Sequence, residues 1–199
     1  MEIYNSYLRM MFSLGGIDRK EHLMRLSPLP DEQWDERARD ALAVLLPSKR
    51  RSRHGAGNAL ATLVRHPDLA EAFLTFNTYL MVESSLPSRL RELAILRVAR
   101  RRHCSYEWTH HARIAGKAGL SEAEIEAAGR GEATGELDQA VLDAVSELDD
   151  DSVLSDRTWA TLGEHLNEHQ RMDLIFTIGA YCLLAMAFNT FGVEPENER

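Results

Sequence analysis

The sequence predicts an all-α fold, and three observations carry that prediction. No stretch alternates apolar and polar residues as a half-buried strand would, and no Asn-Gly or Asp-Gly pair marks a hairpin. Apolar residues instead recur at spacings of three and four. These helical runs are separated by proline, glycine and serine at the positions where helices start and stop. With 199 residues the chain is long enough to bury a core as one domain covering 1–199. Residues 1–30 read as an N-terminal extension, and about 67–130 as the motif-bearing core.

Taken in order, Pro30 introduces a helix expected over Asp31 to Leu46, with Trp34, Ala38, Leu42 and Leu45 on one face, and Pro47 ends it. The basic segment SKRRSRHGAGN is expected to be a solvated loop, with contact to an anionic substrate or a subunit as the alternative. A short helix should follow over Asn58 to Arg65. Pro67 opens a longer one over Asp68 to Glu83, with Leu69, Phe73, Phe76 and Leu80 in helical register. Ser85 to Ser88 forms a turn around Pro87. A helix then runs from Arg89 to Arg102, and another from about Cys104 to Gly119, a good C-terminal stop. Ser121 and Glu124 form a capping box for the next helix. Gly129 to Gly135 is a loop and Leu137 to Leu148 an amphipathic helix, followed by a solvated acidic run at Asp149 to Asp151. Ser155 caps a helix reaching Leu166. From Leu174 to Val193 no residue is charged. That length approaches a membrane span, but Thr177, Gly179, Tyr181, Asn189 and Thr190 favour a core or subunit-interface helix.

Composition narrows the function. The chain is 44% hydrophobic and 27% charged with a net charge of −8, so nothing global points to nucleic acid, and no membrane partner is expected. Two cysteines make no disulfide framework. The start, MEIYNSYLRMMFSLGGI, does not read as a signal peptide, which places the expected location in a reducing cytoplasm.

Chemistry concentrates in two adjacent helices. In RLRELAILRVARRR, Glu92 shares an otherwise apolar face with Ile95, Leu96 and Ala99. Such an acid either pairs with an arginine at the surface or is a buried carboxylate poised to take a proton. In the following HCSYEWTHH, the residues Cys104, Glu107 and His111 line one face, with Ala115 below them. A helix N-terminus and Arg100, Arg101 and Arg102 favour a Cys104 thiolate, whereas an ionised Glu107 opposes it. A metal site of His103, Glu107 and His110 is a weaker alternative, because the second Glu-x-x-His of a di-iron bundle is missing. No nucleophile elbow and no phosphate-cradling glycine loop is present, and no cofactor is expected. Tyr106 and Trp108 read as packing residues, His110 as surface or interface, and Cys182, within YCLLAMAF, as core.

The segment RELAILRVARRRHCSYEWTHHARIAGKAGLSEAEIEA resembles the carboxymuconolactone decarboxylase family, in its alkylhydroperoxidase D-like branch. The resemblance implies a compact helical bundle of that type, assembled as a homo-oligomer, a trimer or a hexamer. In the redox branch it implies a Cys-x-x-Cys motif followed by a histidine. The second cysteine attacks peroxide, the first closes a disulfide with it, and an upstream glutamate and the histidine relay the proton. Glu92, Cys104 and His111 match the upstream acid, the first cysteine and the histidine. The second cysteine is replaced by Glu107. The resemblance thus points to a peroxidase-like oxidoreductase using Cys104, Glu92, Glu107 and His111. Its substrate would be a hydroperoxide, and Cys104 would cycle through a sulfenic acid that an external thiol reductant restores. Two alternatives stand beside it. One is a carboxy-lyase or other acid–base enzyme on a small organic acid or lactone. The other is a non-catalytic helical oligomer with a vestigial site.

Overall fold

The computed structural model describes residues 24–196. The expectation about the MEIYNSYLRMMFSLGGI segment, and most of the 1–30 extension, lies outside the described residues. The described part is helical throughout, with no strand among those residues. Nine α-helices follow in order: α1 Glu36–Asp40, α2 Arg53–Leu63, α3 Pro67–Thr78, α4 Ser88–Arg101, α5 Ser105–Lys117, α6 Glu122–Arg130, α7 Glu136–Asp151, α8 Asp156–His165 and α9 Glu168–Phe191.

Helix α4 is the hub. It packs against α5, α6, α7 and α9, and Leu90, Leu93, Ala94, Ile95, Leu96, Val98 and Ala99 are all buried there. A helix apolar around most of its circumference must lie inside its neighbours. A second apolar cluster gathers Leu29, Trp34, Ala38, Ala41, Leu42 and Leu46 with Ala56, Ala61, Val64, Ala70 and Leu74.

The N-terminal part departs from the sequence expectation. The helix predicted over Asp31 to Leu46 is broken into a 3-10 turn at Asp31–Gln33, the short α1, and a series of turns. Asp35 is the cause: its carboxylate accepts the Ala38 amide at 2.8 Å, which caps a new helix instead of continuing one. The predicted inward face holds all the same, since Trp34, Ala38 and Leu42 are buried and the Trp34 indole donates to the Leu29 carbonyl. The basic loop is also corrected. Ser52 accepts the Gly55 amide and starts α2 at Arg53, five residues earlier than predicted. Arg50, Arg51 and Arg53 bind the Gly55 carbonyl, the Leu46 carbonyl and the Asn58 side chain, so they pin the local chain. Helix α2 is kinked at Gly57, where φ is +77°, a conformation that glycine adopts without steric cost.

From Pro67 onward the agreement is close. His66 caps α3, which continues into one π-helical stretch at Tyr79–Glu83. Of the predicted register, Leu80 is buried and Phe73 packs partly buried against the core, whereas Leu69 and Phe76 are exposed and the core takes Ala70 and Leu74. The Ser121–Glu124 capping box forms as expected. Helix α6 extends through Gly129 to Arg130 and α7 through Asp151, so the acidic run is helical and its Asp149 is bound by Arg101 and Arg102.

Candidate functional site

The turn between α4 and α5 positions the site. His103 takes a left-handed conformation, φ +53°, and donates its amide to the Arg100 carbonyl, while the Cys104 amide donates to the Ala99 carbonyl. This pair of bonds is a Schellman motif, with histidine in the place glycine usually fills. His103 therefore serves as the turn residue and is itself exposed. Asn189 of α9 donates to the Arg102 carbonyl at 2.7 Å and ties the turn to the C-terminal helix. The motif turns the chain so that α5 begins with Cys104 directed inward as its N-cap.

The centre of the site is His111. Its Nδ1 lies 2.7 Å from Glu92 Oε2 on α4, and its Nε2 lies 3.2 Å from Glu107 Oε2 one turn earlier on α5. All three side chains are buried, Glu92 completely. Arg91 approaches the other Glu92 oxygen, with Nε 3.4 Å from Oε1. Tyr181 of α9 stands edge-on to the His111 ring, centroids 4.9 Å apart, and its hydroxyl donates to the Met81 sulfur at 3.0 Å. The structure thus brings Glu92, Glu107 and His111 together, and adds Arg91 and Tyr181. Sequence reasoning missed Tyr181 because its site role depends on how α9 docks. Arg91 sits beside Glu92 in sequence, and that adjacency was the available signal.

Burial alone would pull the His111 pKa down. The hydrogen bonds and negative charge of Glu107 and Glu92 outweigh it and raise the pKa to about 9. At neutral pH the ring is therefore an imidazolium donating from both nitrogens. A neutral ring has only one N–H and could donate to only one of the two carboxyl groups.

Cys104 behaves in the opposite way from the thiolate favoured by sequence. It is 1% exposed, and burial pushes its thiol up to about 12, helped by the Glu107 charge and opposed by the Glu107 and Tyr106 amides. The three arginines do not reach it as a free positive field. Arg101 pairs with Asp149 and Asp150, Arg102 with Asp149, and Arg100 with Glu126 while stacking over Trp108 at 4.6 Å.

The expected metal ligands do not converge. His103 is exposed, Glu107 is buried on His111, and His110 pairs with Glu196 at 2.8 Å while stacking on Tyr106. Among the described residues, Glu136, Glu164 and His165 each place a ligand atom within 4.8 Å of the others, and all three are exposed on the surface. Cys182 is half-buried rather than core, with its sulfur 4.0 Å from Asp149. Tyr106 and Trp108 pack as expected, the former against Phe188 and the latter against Gly129.

Comparison with known proteins agrees with this architecture. Solved structures share the fold at low identity. An alkylhydroperoxidase AhpD core, an uncharacterized peroxidase-related protein from Ralstonia eutropha, superposes with TM-score 0.68 and 21% identity, over 86% of this chain and 93% of that one. A peroxidase-related protein from Silicibacter sp. matches with TM-score 0.66 and 17% identity, over 92% of this chain and 96% of that one. A debrominase crystallised with 2,3,4-tribromopyrrole matches with TM-score 0.64 and 18% identity, over 86% of this chain and 91% of that one. No curated protein sequence matches the chain. The family model for carboxymuconolactone decarboxylase matches residues 67–150. That segment holds Glu92, Cys104, Glu107 and His111, and over those residues the chain is similar to the carboxymuconolactone decarboxylase family.

Proposed function

We propose that this protein is an acid–base enzyme acting on a small organic acid or lactone, with His111 as the proton-holding centre. One observation carries the reading: both ring nitrogens of a buried His111 face carboxylates, Glu92 and Glu107, with a guanidinium beside them. Three coupled groups can take up a proton at one point and return it at another. Glu107 is the group that exchanges protons with substrate, and His111 recharges it. Glu92 holds the ring in place, and Arg91 supplies positive charge for a substrate carboxylate. In a decarboxylation the bond to the carboxyl carbon breaks and carbon dioxide leaves. The electron pair passes into a conjugated carbonyl system. The cluster delivers a proton to carbon and regains one from water, so charge and atoms balance.

A thiol-peroxidase reading keeps one specific support. Cys104 stands at the N-terminus of α5, where the amides of Glu107 and Tyr106 favour its thiolate. Glu107, three residues on, could accept the proton. The thiolate would attack the peroxide O–O bond, forming a sulfenic acid and releasing an alcohol or water, and an external thiol would reduce it. Against this stands the buried thiol, raised to about 12. The solved neighbours described as peroxidase-related lend it only the shared fold.

One experiment separates the two. Wild type, His111→Asn and Cys104→Ala are assayed for carbon dioxide release from a panel of small unsaturated acids and lactones, and for hydroperoxide consumption with dithiothreitol. The expected result is turnover of an organic acid that falls about 10²–10⁴-fold in His111→Asn and survives in Cys104→Ala. Hydroperoxide consumption abolished by Cys104→Ala, with no turnover of the acids, overturns the acid–base reading. Inactivity in every assay favours a vestigial site.

A further inference from the structure

The strap that follows α9 lays a carboxylate into a seat formed by α2 and α5. Gly192 and Val193 both donate their amides to the Phe188 carbonyl and turn the chain away from the helix. Glu196 then meets two donors. Its Oε1 accepts the Asn58 amide at 2.6 Å, and its Oε2 lies 2.8 Å from His110 Nε2. The Asn58 side chain donates to the Glu194 carbonyl at 2.9 Å.

The seat is built by the fold. Gly57, at φ +77° and ψ 178°, breaks the helical ladder of α2, and the Asn58 amide that follows points to Glu196 in place of a carbonyl one turn back. A Cβ on Gly57 would stand 2.7 Å from Glu196 Oε1 and 3.8 Å from the Tyr106 hydroxyl. Glycine therefore gives both the backbone turn and the room for a carboxylate. Tyr106 stacks on His110 with ring centroids 4.3 Å apart, packs edge-on against Phe188, and accepts the Ala59 amide at its hydroxyl. Its own proton stays available to a further acceptor.

The occupant is held less firmly than the seat. Past Val193 the strap buries no side chain fully, with Glu194 and Glu196 exposed and Pro195 half-buried. The Glu196 and His110 side chains are 39% and 33% exposed, so the seat opens to solvent. Polar contacts this exposed exchange with water at little cost. A tethered carboxylate keeps such a place by proximity, at an effective concentration on the order of millimolar.

We propose that Asn58, His110 and Tyr106 form a second binding site, for the carboxylate of a small organic acid, which Glu196 fills in cis until such a ligand displaces it. Two donors converging on the two oxygens of one group fit the planar fork of a carboxylate. The site shares no printed hydrogen bond or ion pair with Glu92, Glu107 or His111, so it stands whether or not His111 is the proton-holding centre. The anion contact considered for SKRRSRHGAGN then lies at Gly57 and Asn58, its last two residues, and not at its arginines.

The test follows the residue-58 amide by ¹H–¹⁵N NMR in the full chain, titrated with sodium acetate against sodium chloride of equal ionic strength. The bond to Glu196 should hold that amide downfield in wild type, and Glu196→Ala should move it upfield. Acetate should return it downfield in Glu196→Ala, saturably, at a concentration at least about tenfold below any effect in wild type, where the tethered carboxylate competes. Adding His110→Ala to Glu196→Ala should weaken acetate binding about fivefold, as the loss of one hydrogen bond would. Asn58→Ala keeps the backbone amide and removes the grip on Glu194, so its acetate response should fall between wild type and Glu196→Ala. An amide that acetate leaves unmoved in Glu196→Ala overturns the proposal. So does an equal response to chloride, saturation at the same concentration in wild type and Glu196→Ala, or indifference to His110→Ala.

Discussion

The two ends of α4 carry two charge clusters of opposite kind. Near its start, Glu92 is fully buried and shares His111 with a second buried carboxylate, Glu107. At its end, Arg101 and the following Arg102 meet Asp149 and Asp150 of α7, in a partly solvated network. The first cluster sets two carboxylates against one imidazole and one guanidinium, away from water, so its protonation is coupled and responsive. The second balances two arginines against two aspartates, and against burial the ion pairs push Arg101 up and hold Asp149 down. A single helix thus separates a place where protons can be exchanged from a place where two helices are held together. Perturbed titratable groups gathered by burial mark the functional end.

The largest effect should come from breaking the buried end. Glu92→Ala leaves the His111 imidazolium with one carboxylate fewer and opens a cavity beside it. We expect a loss of about 3–5 kcal/mol of folding stability, read as a lower midpoint in urea denaturation. A loss below about 1 kcal/mol would mean that the pair is not buried as described.

The pH dependence sharpens the same contrast. The folded His111 pKa of about 9 lies above its ordinary 6.5, so its stabilising contribution is fully present below 6.5 and is lost as pH rises through about 9. The stability difference between wild type and His111→Asn should therefore shrink across that window when followed by thermal melting. A difference that is flat with pH would remove His111 as the proton-holding group.

The smallest effect belongs to the other end. Asp150 is 61% exposed, and Asp150→Ala should cost no more than about 1 kcal/mol. That cost should fade in about 1 M salt, where screening is nearly complete over contact distances.

The contrast also explains what could be read from the sequence. Glu92 stood out because an acid on an apolar helical face needs a reason, and the i, i+4 spacing of Glu107 and His111 put them in reach of each other. The caps at Ser121 and Ser155 and the helix start at Pro67 were equally legible, because each is a bond or a steric rule among residues close in sequence. The helix expected over Asp31 to Leu46 failed because Asp35 competes for a local amide, an alternative that apolar periodicity does not register. The outward placement of Leu69 and Phe76, and the half-buried position of Cys182, depended on which neighbours arrived.

The charge of Cys104 shows where the boundary lies. Sequence alone determined that a thiol would sit at a helix N-terminus, seven residues before a histidine and next to three arginines. Those relations follow from covalent order and helical geometry. Only the tertiary structure decided that the thiol is desolvated and that the arginines are engaged by Asp149, Asp150 and Glu126. Only it decided that the histidine takes its charge from two carboxylates, one of them nineteen residues away. Burial and long-range ion pairing are set by the packing of helices distant in sequence, and these are the forces that shift a pKa most.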